Sequence, residues 1–277
     1  MTDSPKEIVA RFVEERLAGD LDKLRNFCFA ELKGTGYGKC PGKSGFDCDN
    51  TLLANAIYVL LWGGGRKVFP ELTLDKLGSG GKFPFRGDTM NSFRTVLGAG
   101  NFDSTVLLWK EYGMDEKVEA FFLKYHTIGN FVVLPNRQAV LPTSSGNRMD
   151  TFNTYRGDLW GWHDFFDRFL VELDKVLRGS EDASADLRAI VECNRDAFQE
   201  RQLPELANAL FLDDYMDEKN AAPLPLFAPY STSTEKRFPK KIADEAYRNF
   251  AYSYIDKATA IIDKRATAIC DRLSRLL

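Results

Sequence analysis

At 277 residues, with 44% hydrophobic and 28% charged side chains, the chain can bury a large core, and its composition excludes wholesale disorder. A net charge of −3 and a pI of about 5.6 supply no global drive toward nucleic acid, so that partner is an alternative and not the expectation. No apolar run approaches the roughly 18 residues of a membrane span, and the N-terminus has no basic-then-apolar signal layout. Five scattered cysteines (Cys28, Cys40, Cys48, Cys193, Cys270) form no CxxC and have no histidine at zinc-ligand spacing, which fits free thiols in a reducing compartment. The expectation is a soluble, cytoplasmic protein with no membrane partner and no metal centre.

Helical spacing dominates the chain. Ser4-Pro5-Lys6-Glu7 reads as a cap and first turn, followed by Ile8, Phe12, Val13 and Leu17 at steps of three to five, with Gly19 as the stop. Asp20 is placed to cap a second helix carrying Leu21, Leu24, Phe27, Cys28 and Leu32. Lys33 to Asn50 reads as loop. Leu52 to Trp62 is apolar on nearly every side and predicts a buried central helix. Gly63 to Phe85 reads as loop with one helical turn at Leu72, Leu74 and Leu77. Asp103–Tyr112 and Asp115–Tyr125 predict two helices parted by Gly113. Phe131 to Leu134 is the best strand candidate, and Asn136 to Asn147 reads as loop.

Further helices are expected over Trp160–Leu177, from Ser184 to about Arg201, from Pro204, and, longest of all, over Ile242–Leu276; a proline-rich connector, Ala221 to Pro239, precedes the last. The fold class is therefore mainly α: a compact helical domain over residues 1–277 with a long C-terminal helix and little or no β-sheet. A division into 1–80 and 81–277 is the alternative.

Several motif-like stretches fail on chemistry. Gly34 to Ser44 imitates a phosphate loop, but Tyr37 stands where its first glycine is required and no strand precedes it. Gly78 to Lys82 lacks the magnesium-binding hydroxyl, because Phe83 follows. The acids Asp213, Asp214, Asp217 and Glu218 lack the alternating ligands and central glycine of a calcium loop. His163, among Trp160, Trp162 and Phe165, reads as a structural imidazole.

What remains is three segments in which polar groups sit between apolar anchors. They are Arg86-Gly87-Asp88-Thr89-Met90-Asn91-Ser92, Tyr125-His126-Thr127-Ile128-Gly129-Asn130, and the stretch from Asn147 to Asp158. Gly87-Asp88 reads as a helix start, with Asp88 and Asn91 on one face of the first turn. Asp88, His126 and Asn130 are the candidate catalytic residues. Asn91, Arg94, Asn136, Arg148 and Arg156 are candidate ligand-binding residues, the arginines for an anionic group. Asp88 is expected beside His126, raising its pKa by favouring the cation. The alternative for Asp88 is a helix cap, and for Asn130 a side chain that ties down the corner after Gly129.

The Gly-Asp-Thr-Met-Asn-Ser-Phe block followed by His-Thr-Ile-Gly-Asn-Phe resembles an uncharacterised bacterial family, a domain of unknown function, and that resemblance covers most of the chain without implying an activity. His126, Gly129, Asn130 and Asn136 also resemble the His-x-x-Gly-Asn block in the HNH-like C-terminal domain of GmrSD-type restriction endonucleases. That second resemblance implies an acidic–His pair upstream for metal binding and base catalysis. At that distance this chain has Asp88-Thr89, and Thr89 cannot take a proton at neutral pH.

The sequence supports three functional readings: a polar pocket built by these segments, a helical interaction module whose polar network is structural, or a degenerate HNH-like nucleic-acid-binding or defence protein. It identifies no cofactor or partner, and whether the protein is an enzyme stays open.

Overall fold

The computed structural model describes residues 3–42, 45–65, 67–78, 83–90, 97, 102–135, 139–143, 146–150, 165–198, 202–217, 219–224 and 242–277. Within these the protein is mainly α-helical, and its longest helix runs 30 residues near the C-terminus. Strands pair only two at a time, in three antiparallel pairs among the described residues. Buried apolar side chains from Ile8 to Leu273 form one contiguous cluster. No described helix is long and apolar enough to cross a membrane.

The first helix, α1 (Pro5–Leu17), begins where its chemistry dictates. Ser4 Oγ accepts from the Glu7 N–H while the Glu7 carboxylate accepts from the Ser4 N–H, a reciprocal capping box with Pro5 in the first turn. The left-handed step that ends it falls first on Ala18 (φ 55°) and then on Gly19 (φ 78°), one residue earlier than the glycine alone suggests. Asp20 does cap, but what it caps is the short 3₁₀ helix Leu21–Asn26; a second, Phe29–Leu32, follows without a side-chain cap, in place of one α-helix. Helix α2 (Leu52–Trp62) is the central buried helix, capped by Thr51 Oγ1 accepting from the Ala54 N–H. Its Trp62 indole N–H donates to the Ala209 carbonyl at 2.8 Å.

Strand β1 (Phe85–Thr89) corrects the helix start read at Gly87-Asp88. It pairs antiparallel with β2 (Phe131–Pro135), which sets Asp88 opposite Val132 and Thr89 opposite Phe131. The β-branched pair Val132-Val133 favours the extended form, and partner pairing across more than 40 residues overrides the local cap signal of Gly-Asp. Between these strands lie α3 (Phe102–Lys110) and α4 (Asp115–Tyr125), separated by a left-handed Gly113 (φ 66°).

The stretch read as loop after Pro135 contains a hairpin, β3 (Ala139–Thr143) with β4 (Gly146–Asp150). Pro142 lies within β3, and in a two-stranded sheet every strand is an edge and tolerates a missing N–H. Helix α5 (Phe165–Leu177) buries Phe169, Leu170 and Leu173; Trp160 to Asp164, read as its first turn, lie outside the described residues. Helix α6 (Ala185–Cys193), capped by Ser184, is shorter than expected. It ends at the buried Asn194, whose Nδ2 donates to the Ile190 carbonyl, and a four-residue helix Arg195–Phe198 comes next. Helix α7 (Leu203–Ala209) carries Pro204 in its first turn, and β5 (Met216–Asp217) pairs with β6 (Ala222–Pro223).

The C-terminal helix α8 (Glu245–Ser274) is capped by Asp244 Oδ1 accepting from the Ala246 N–H. Tyr247, Tyr254, Ala258, Ile262, Ile269 and Leu273 form its buried stripe. It packs on the Leu21–Asn26 and Ile128–Asn130 turns, on α4 and on α2. Lys117 of α4 pairs with Asp256 at 2.6 Å, and Lys124 with Asp263.

Candidate functional site

The side chains that meet at the end of β1 come first from the loop that feeds α2. Asn50, fully buried, donates from Nδ2 to the Gly87 carbonyl and accepts on Oδ1 from the Gly87 N–H, both at 3.0 Å. Its amide thus acts as a strand partner for β1. The same Nδ2 lies 3.0 Å from Asp49 Oδ1 and 3.3 Å from Asp47 Oδ2. From α2, the Tyr58 hydroxyl donates to the Asp49 carbonyl at 2.8 Å. A Cβ at Gly87 would fall 1.9 Å from the Asp49 carbonyl oxygen, so only glycine lets loop and strand touch.

The second half of the corner is the turn after α4. His126 succeeds the last helical residue, and its carbonyl accepts from the Phe29 N–H at 2.9 Å. The 3₁₀ turn Ile128–Asn130 then leads into β2. Asn130, with no exposed surface, donates from Nδ2 to the Tyr125 carbonyl at 2.9 Å, while its own carbonyl accepts from the Met90 N–H at 2.8 Å. The hydroxyls of Thr89 and Tyr125 are hydrogen-bonded at 3.0 Å, joining the end of β1 to the end of α4. Gly129 lies flat on the C-terminal helix: a Cβ there would sit 2.1 Å from the Ile262 carbonyl oxygen and 2.9 Å from the Ala266 methyl.

Charge in this corner is unbalanced. Burial, reinforced by the Asp47 and Asp88 carboxylates and by a side-chain hydrogen bond to Asp47, holds the Asp49 carboxyl well above its ordinary range; Arg86 opposes this only in part. Burial also lowers the His126 pKa below its ordinary 6.5, and the carboxylate that partly offsets the shift is Asp47. The expectation that Asp88 would raise the His126 pKa is therefore corrected in both direction and partner: desolvation wins, because an imidazolium at the core edge loses more hydration than one carboxylate returns. Burial, then Asp49, pushes the Tyr58 hydroxyl up, and burial raises the thiols of Cys28 and Cys48, so neither is disposed to act as a thiolate. Among the described residues no group of three or more His, Cys, Asp or Glu side chains is placed to hold a metal ion.

Of the residues singled out in the sequence, Asp88 lies on β1 opposite Val132 of β2, while His126 and Asn130 lie at the turn that leads into β2, each with its own engagement. Asp88 Oδ1 accepts from the Thr89 N–H at 2.8 Å, the His126 ring stands edge-on to Tyr125 at 4.8 Å, and Asn130 braces the turn. Arg148 lies on β4 in register with Leu141. Asn91, Arg94, Asn136 and Arg156 lie outside the described residues, as does His163.

Sequence reasoning passed over Asp47, Asp49 and Asn50, dismissing them as loop. The available signal was an acidic Asp47-Cys48-Asp49-Asn50-Thr51 run directly before the most apolar helix in the chain. No family model matches this chain, and neither does a curated protein or a solved structure.

Proposed function

We propose that the corner formed by the Asp47–Asn50 loop, the end of β1 and the turn from Tyr125 to Asn130 is an acid–base pocket for a small polar molecule. The observation that carries this reading is the Asp49–Asp47 pair: both carboxyls meet the buried Asn50 amide, at 3.0 and 3.3 Å, and burial with the Asp47 charge pushes the Asp49 carboxyl up. Two carboxyls in such contact do not both ionise readily, so one is held as a proton donor while the other accepts. Beside them the His126 imidazole, its pKa lowered, is neutral at neutral pH and offers one N–H and one acceptor nitrogen. Asp47 and His126 are half-buried, whereas Asp49 is buried. In this reading Asp47 and His126 exchange protons with the ligand, Asp49 supplies the held proton, burial and then the Asp47 and Asp88 charges keep Asp49 from ionising, and Asn130 shapes the turn. This is proton-transfer chemistry, and the protonated thiols of Cys28 and Cys48 take no part in it.

A second reading has an observation of its own. Asn50 and Asn130 are wholly buried and spend their amides on backbone groups, which suits a polar network whose task is to specify the fold. A thermal-shift panel of small polar compounds against wild type, Asp49→Asn and His126→Gln separates the two. The pocket reading expects a compound that stabilises wild type and binds both folded variants at least about tenfold more weakly, a difference of about 1.4 kcal/mol. Variants that lose stability while no compound distinguishes them from wild type would leave the structural network as the function of these residues.

A further inference from the structure

The C-terminal helix contributes one charged group to this corner from below. Arg265 is 2% exposed, and its guanidinium reaches three backbone carbonyls on two separate stretches of chain. Nε donates to the Leu210 carbonyl at 3.1 Å, and Nη1 donates to the carbonyls of Gly129, at 2.8 Å, and of Phe131. Those last two carbonyls are the ones on either side of Asn130. The Trp62 ring lies 5.9 Å from the guanidinium carbon, and among the described residues Arg265 forms no ion pair with a carboxylate. A buried cation without a counter-ion is expensive, and burial lowers its pKa to about 10, which still leaves it charged at neutral pH. Packing alone does not call for this group at the helix surface, where a leucine or methionine would fill the volume at lower cost. What the guanidinium supplies is a planar fork of donors fixed in direction, which an ammonium or an apolar side chain lacks.

We propose that Arg265 is the positioning residue of the candidate site: by clamping the carbonyls that flank Asn130, it fixes the turn that carries the His126 ring. The inference rests on the reading of this corner as a site. Three contacts transmit the placement. The carbonyls of Gly129 and Phe131 are both held by Nη1, whose direction the planar guanidinium fixes through its Nε bond to Leu210, Gly129 itself lies on Ile262 and Ala266 with no room for a methyl, and Asn130 ties the turn back to Tyr125, the neighbour of His126. With the clamp intact, the imidazole is held at a fixed depth beside Asp47. With the clamp loosened, water reaches the ring and its desolvation is relieved.

The test is the titration of His126 by NMR in wild type and in Arg265→Lys, which keeps the positive charge and removes the fork. The chain has two histidines, so comparison with His163→Gln assigns the signals. The expected result is a wild-type midpoint below 6.5 that moves up toward 6.5 in folded Arg265→Lys, by at least threefold in the acid constant. A folded Arg265→Lys protein with an unchanged His126 midpoint overturns the proposal, because a merely stabilising arginine would lower the melting temperature without moving a folded-state ionisation. Should the lysine variant not fold, hydrogen exchange of the wild-type protein decides. The amides of Met90 and Phe131, which donate to the Asn130 and Ile128 carbonyls, are expected to open together with those around Arg265. Opening of the two turn amides tenfold or more often than the helix overturns the proposal. The ligand panel reads binding and this titration reads geometry, so either can fail without the other.

Discussion

Asp49 shows how a single side chain can work against the fold that contains it. Its carboxyl is buried beside two other carboxylates, and its folded-state pKa is raised well above the ordinary 3.8. A group raised in this way contributes stability that is fully present below about 3.8 and is lost as pH rises through the folded value. His126 has the opposite sign: its lowered folded pKa means stability is lost as pH falls below about 6.5 and through the folded value. Replacing Asp49 by Asn keeps an acceptor for the Asn50 amide and a donor toward Asp47 while removing the charge. Asp49→Asn is therefore expected to melt at or above the wild-type temperature at pH 7.5, with the difference shrinking on acidification toward pH 4. A variant less stable than wild type by the same amount at every pH would mean that Asp49 is not held protonated.

At the scale of elements, the two glycine-containing blocks that drew attention in the sequence are above all places of close approach. Gly87 admits the Asp49 carbonyl against β1, and Gly129 admits the turn before β2 against the C-terminal helix. Periodicity is blind to such positions, because a glycine at a backbone crossing and a glycine in a loose loop are the same letter. Gly129→Ala would drive a methyl against the Ile262 backbone, which cannot swing aside as a side chain would. The expected cost is about 1–3 kcal/mol or more, as for other overpacked interiors, measured by urea unfolding. A Gly129→Ala protein within about 0.5 kcal/mol of wild type, the usual scatter of neutral surface changes, would refute the contact. Helix ends were partly legible: Ser4 and Ser184 read as caps and do cap, whereas Thr51 was not singled out and Asp244 fell inside the helix expected from Ile242, though each caps through a contact within four residues. The strands were less so, with Phe131 to Leu134 foreseen as a strand candidate and the Gly87-Asp88 part of its partner misread as a helix start.

Across the whole molecule the five cysteines are thiols in graded environments: Cys193 exposed, Cys28, Cys40 and Cys48 half-buried, and Cys270 buried. Burial raises Cys270 to about 11 and raises Cys28 and Cys48 as well. Labelling of native protein at pH 7.5 is expected to modify Cys193 first and Cys270 only on unfolding, with five groups counted in denaturant without reductant. A count of three, or early loss of Cys270, would contradict this arrangement. The buried thiol sits on the same helix that carries Arg265, so its protection also reports how firmly that helix is seated.

The sequence by itself determined the mainly helical class, the capped helix starts at Ser4 and Ser184, the buried central helix Leu52–Trp62 and the stripe of the C-terminal helix. Each is written in contacts three or four residues apart, where local chemistry and the solvent decide. Only the tertiary structure decided that Asp88 lies on a strand bridged by Asn50, that Asp47 is the carboxylate acting on His126, and that Arg265 clamps the turn around Asn130. Those outcomes depend on partners from 37 to 136 positions away. At such separations the identity of a residue does not reveal its surroundings, and it is the surroundings, through burial and neighbouring charge, that set what a carboxyl, an imidazole or a guanidinium can do.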